Sequence, residues 1–157
     1  MADQLAAAKV PVLLDSLQNL PGSFDQLGAR LDNAARLQRA GVAVSFSQFD
    51  SAAHYARKIR QVAGNAVANG MDWNAALAGL TRVPAEVFGV GDRVGRIEPG
   101  LIADLVLWDG DPLEVTTLAE QVWMGGVAMP MRSRQTELRD RYQRAPTALP
   151  RAYSPER

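Results

Sequence analysis

Gly95-Arg96-Ile97-Glu98-Pro99-Gly100-Leu101-Ile102-Ala103-Asp104-Leu105-Val106-Leu107-Trp108-Asp109-Gly110-Asp111-Pro112 is the stretch on which the reading of this chain turns. It reads as two short strands joined by a tight turn and closed by a second one. In Glu98-Pro99-Gly100 the proline pre-sets φ near −65° and the glycine accepts positive φ, the signature of a type II turn. Leu105 to Trp108 form an apolar run of strand length, which Asp109-Gly110-Asp111-Pro112 ends with turn chemistry. Asp104 and Asp109 read as structural, because aspartates in turns accept backbone N–H bonds.

Outside this stretch, the totals narrow the class. With 157 residues the chain has about the length of one domain. Lys plus Arg and Asp plus Glu number 17 each, so no global field favours nucleic acid or an acidic membrane. Cysteine is absent, which removes disulfides and thiolate ligands and leaves the compartment open. No apolar run approaches the roughly 20 residues of a membrane span, and Met1-Ala2-Asp3-Gln4 does not open a signal peptide. The only histidine is His54, so a multi-histidine metal site cannot be built from this chain alone.

Upstream of the quoted stretch the pattern alternates between strand and helix. Residues 3–9 read as the end of a helix, and Val10-Pro11-Val12-Leu13-Leu14-Asp15 as a short strand with proline at its start. Residues 19–23 read as a loop, residues 25–39 as a helix closed by Gly41, and residues 42–46 as a second strand. Strand, helix and strand in succession imply a parallel sheet with a right-handed crossover. A helix is expected from about Ser51 to Asn69, then one capped by Asp72 and running through Leu80, then a helical turn opened by Pro84. Downstream, Gly125-Gly126 between apolar runs signals a two-residue hairpin. A charged helix is expected over 134–144 and a mobile tail over 145–157. The organisation is therefore α/β over residues 1–90, β-strands over 91–132, and helix with tail over 133–157.

Three ordered series, Gly95-Arg96-Ile97-Glu98-Pro99-Gly100, Ala103-Asp104-Leu105-Val106 and Asp109-Gly110-Asp111-Pro112, resemble those of metal-dependent amidohydrolases. Residues 66–70 and 76–85 resemble the last barrel helices of that family, and 122–127 its closing hairpin. The likeness runs from about residue 8 to 130 and is nearest to the branch with imidazolonepropionase-like enzymes and Xaa-Pro or Xaa-Arg dipeptidases. It implies the last βα units of a TIM (β/α)₈ barrel followed by strands of a small composite β-sandwich. It also implies hydrolysis of C–N bonds in a small amide or peptide substrate by metal-activated water, with a divalent metal, zinc by preference. A complete barrel takes about 250 residues. The family's histidine ligands would lie upstream, so the resemblance makes this chain a C-terminal segment that is inactive and metal-free alone. Its partners would be an N-terminal barrel portion or a complementing chain.

The resemblance matches Asp50 to the aspartate that ends the family's eighth strand, where it binds metal and acts as general base. A carboxylate suits both tasks, being a hard oxygen ligand that can take a proton from metal-bound water. Asp50 equally suits capping of the helix that follows it. His54 lies one turn further on, as a donor at the site mouth or as a packed helix residue. Arg57, Lys58 and Arg60 read as a solvated basic face, with the holding of a substrate carboxylate as the alternative. Asp15 reads as a strand terminator or a residue facing the site. A second reading of the whole chain is a non-catalytic binding or assembly module derived from an amidohydrolase. In either case the exposed strand edges favour a homo-oligomer, with neither nucleic acid nor membrane as partner.

Overall fold

The computed structural model describes residues 1–18, 20–48 and 53–143. Helix α1 (Ala2–Ala7) leads into β1 (Val12–Leu14), and α2 (Asn33–Arg39) leads into β2 (Val44–Phe46). The two strands pair in parallel, with Val12 opposite Val44 and Leu14 opposite Phe46, as the strand–helix–strand pattern requires. A 3₁₀ turn, Ala53–Lys58, then runs into α3 (Ile59–Ala68), followed by α4 (Trp73–Leu80) and α5 (Arg82–Val87). Strands β3 (Leu105–Trp108), β4 (Ala119–Met124) and β5 (Val127–Ala128) form a separate antiparallel sheet in that order. The charged helix α6 (Arg134–Tyr142) follows, its first turn closed by a reciprocal capping box between Ser133 and Thr136. The expected tail at 145–157 lies outside the described residues.

The helix ends explain how the first sheet is aimed. At Gly41 (φ 87°) the N–H groups of Gly41 and Val42 donate back to Gln38 O and Leu37 O, both at 3.0 Å. This paired closure turns the chain sharply, seats Val42 in the core and starts β2. The same closure ends α3 at Gly70 and buries Met71. Asp72 caps α4 as expected, its Oδ2 accepting the Ala75 N–H at 2.9 Å.

One hydrophobic cluster fills the space between the parallel pair and its helices, built from Leu14, Leu37, Val44, Phe46, Val62 and their neighbours. Val62 has no exposed surface, and burying such a side chain is worth about 1.5–3 kcal/mol. Close approach of α4 to β2 needs Gly79, where a Cβ would stand 2.8 Å from Val44 O.

Two expectations need correction. The helix expected over 25–39 begins only at Asn33. Phe24–Gln26 make a single 3₁₀ turn, and Leu27 is 70% exposed, so the apolar stripe has nothing to cover in that half. Arg30 also grips Asp32 through two bonds (2.7 and 3.0 Å), which takes up the carboxylate that would otherwise cap the helix. That hydrogen bond from Arg30 holds the exposed Asp32 carboxyl below its ordinary range.

The second correction concerns the hairpin expected within residues 95–112. Its turn is present, with Gly100 at φ 94° and Leu101 N–H donating to Glu98 O. Its first strand is not. Gly95 lies so close to α5 that a Cβ would be 2.7 Å from Ala85 Cβ, and Arg96 bonds back to Gly91 O. Gly95 and Arg96 therefore lie against α5, Arg96 also pairing with Glu86, and β3 pairs instead with β4, Val106 opposite Val122. The later hairpin is as expected: Gly125 and Gly126 both have positive φ and Met124 faces Val127.

Candidate functional site

In parallel sheets ligands sit beyond the carboxyl ends of the strands. Here that edge is formed by Asp15 and Ser16 after β1 and by Ser47 and Gln48 after β2. The register continues past the strands, since Ser47 N–H donates to Leu14 O at 3.0 Å. Asp15 is only 7% exposed, and its Oδ1 accepts the Leu17 N–H at 2.9 Å. That bond closes a local turn and accounts for the strand-ending role of Asp15. Ser16 is fully buried, its hydroxyl donating to Val62 O, and Asn65 Nδ2 donates to Ser16 O at 2.8 Å. Gln48 Oε1 is buried and meets no donor among the described residues. Asp50 lies outside the described residues, and His54 falls in the Ala53–Lys58 turn.

These residues do not compose a metal centre. Among the described residues no three His, Cys, Asp or Glu side chains come close enough to hold an ion. Asp15 is the one carboxylate at the described strand ends, and Ser16 and Ser47 are neutral hydroxyls. The donor set that the described part of the chain offers does not fit a divalent metal.

The acidic residues of the quoted stretch have structural duties. Asp104 Oδ1 accepts Gly125 N–H at 2.7 Å, tying β3 to the β4–β5 turn. Asp109 Oδ1 accepts Leu118 N–H at 2.7 Å. Asp111 takes the Leu113 N–H at 2.9 Å and the indole N–H of Trp73 across both oxygens (3.0 and 2.9 Å).

Arg60 departs from the solvated face on which sequence reasoning placed it. Its guanidinium donates to four backbone carbonyls: Pro112 O (3.1 Å), Glu114 O, Val115 O (3.3 Å) and Thr117 O (2.9 Å). It also lies over the Trp108 ring, 5.1 Å from the centroid. One turn further along α3, Gly64 admits the backbone of Leu113, whose carbonyl oxygen leaves no room for a Cβ there. The pattern Arg60-x-x-x-Gly64 puts both on one helix face, the one sequence signal that could have found this contact.

Comparison with known proteins places this geometry. The Amidohydrolase family matches residues 4–135, and the chain belongs to that family. It is 38% identical over 109 residues to an imidazolonepropionase of Aromatoleum aromaticum, a match covering 68% of this chain and 25% of that protein. It is 48% identical over 59 residues to the amidohydrolase tasK of Hapsidospora irregularis, covering 38% of this chain and 6% of that one. The structure of an amidohydrolase from Thermotoga maritima MSB8 superposes with a TM-score of 0.71 at 29% identity, covering 83% of this chain and 34% of the other. The chain thus spans a quarter or less of these two curated relatives. A TIM-barrel-type fold is what the structural likeness implies, and the described part is a mixed α/β structure within it.

Proposed function

We propose that this chain is the C-terminal segment of an amidohydrolase that hydrolyses C–N bonds in a small amide or peptide substrate. In this reading residues 1–90 supply the last βα units of the barrel, 91–132 the strands of a β-sandwich, and 133–157 a terminal helix and tail. The observations that carry it are the family match over residues 4–135 and a parallel strand pair whose outer edges no other strand covers among the described residues. Open edges beside an exposed Leu13 call for further strands, which an N-terminal barrel portion, a complementing chain or a second copy would add.

The chemistry then divides between segments. A divalent metal, zinc by preference, would activate water in the completed enzyme, with most of its ligands contributed from outside this chain. This chain's share is the carboxyl edge of β1 and β2, with Asp50 as candidate metal ligand and base. The isolated chain is expected to carry no stoichiometric zinc and to leave N-acyl amino acids and dipeptides intact. Metal analysis of the purified chain with a hydrolysis assay tests this. One equivalent of zinc with turnover would overturn the division, as would an upstream reading frame encoding no His-x-His barrel start where no partner chain supplies one.

A further inference from the structure

Helix α3 touches two different things on two of its sides. Arg60 and Gly64 meet the loop of residues 112–117. Val62 and Asn65 meet Ser16, the residue just past the carboxyl end of β1, through one hydrogen bond each. Ser16 adjoins Asp15, whose carboxylate closes the turn at Leu17, and Leu14 O pairs with Ser47 at the end of β2. We infer that the loop of residues 112–117 braces α3, and through α3 the strand-end edge, with Arg60 as the positioning residue. The significance of that edge for hydrolysis rests on the function proposed above; the bracing geometry does not.

The chemistry favours Arg60 over any other residue for this task. A guanidinium carries five N–H donors in a rigid fork, so it can satisfy several carbonyls at once, and its flat face lies over the indole of Trp108. Those carbonyls belong to a loop outside regular structure, so without Arg60 they lose their common partner. A lysine offers a single ammonium on a flexible stem and cannot span all four. Helix α3 runs unbroken over its ten residues, so a displacement imposed on its Arg60 side is expected to reach its Val62 and Asn65 side.

Backbone amide exchange on the 157-residue chain tests the inference. In Arg60→Ala, exchange at Leu17 and Ser47 is expected to rise about tenfold over the amides of β1 such as Val12, because the edge opens locally. Arg60→Lys should give a smaller rise, and millimolar guanidinium ion should reverse the Arg60→Ala effect by refilling the carbonyl cluster above Trp108. A rise confined to residues 113–118, with Leu17 and Ser47 unchanged, overturns the inference. So does an equal rise at every amide, Val12 included, since that reports lost global stability alone. Should Arg60→Ala fail to fold, Arg60→Lys decides by the same comparison. Absence of hydrolysis in an otherwise complete enzyme counts against the proposed function and leaves the exchange result standing.

Discussion

The parallel and antiparallel parts of the chain are held by different forces. Around β1 and β2, aliphatic side chains and small alanines close over one another, and β2 is buried along its whole length. In β3, β4 and β5 no residue is fully buried, and Val106, Leu107, Met124 and Val127 all retain large exposed surfaces. Among the described residues, Leu113 is the one buried member of the main cluster that comes from beyond Ala76. Among the described residues the second sheet is therefore joined to the first part by a loop, the bond from the Trp73 indole to Asp111 and one guanidinium. The most recognisable text in the sequence lies in the part with the least core. Recognisability here tracks turn chemistry and hydrogen bonding, and stability tracks burial.

Substitutions at the joint should cost most. Gly64→Ala forces a Cβ against Leu113 O, backbone against backbone, and is expected to destabilise the chain by about 3 kcal/mol in thermal or urea melts. If it does not, the loop is not seated on α3 as described. Leu113→Ala should cost about 2.5 kcal/mol, since it removes the anchor that the second part sends into the cluster. Asp72→Ala, inside the first part, removes a helix cap and should cost about 1 kcal/mol.

The smallest effects sharpen the contrast from the other side. Ile97 belongs to the quoted stretch yet is 87% exposed, so Ile97→Ser should stay within about 0.5 kcal/mol of the parent. A larger loss would mean that this stretch has a core of its own. Asp32→Asn should leave stability nearly unchanged at neutral pH, because the Arg30–Asp32 pair is exposed. Its small contribution has a defined pH sign. The Asp32 carboxyl is depressed in the folded chain, so its contribution is present above the unfolded carboxylate value and fades as pH falls through the folded one. Parent and variant melts should therefore converge in acid.

Local signals carried far in this sequence. The closure at Gly41, the cap at Asp72, the turn at Glu98-Pro99-Gly100 and the hairpin at Gly125-Gly126 are each specified by neighbouring residues, and each stands where the residues place it. The roles of Asp104 and Asp109 were legible for the same reason. Partner choice was not local. Nothing in Gly95-Arg96 says that α5 will claim them before β3 does, and nothing in Leu27 or Leu31 says that no surface awaits them. Arg60 was misread because a basic cluster looks alike whether it faces water or four carbonyls more than fifty residues away. Of the candidate site, the strand-end edge with Asp15 was legible, and Asp50 falls outside the described residues.

The Arg60 clasp also bears on how the sequence can drift. Carbonyl oxygens are the same whatever side chain accompanies them, so the loop is recognised by its path and not by its letters. A changed side chain at Glu114 or Val115 leaves those carbonyls where they are, Val115 being already 64% exposed. An inserted or deleted residue between Pro112 and Thr117 cannot pass so easily, because it would move the carbonyls out of reach of one fixed guanidinium. Length is thus the constraint that the guanidinium at position 60 sets on this loop.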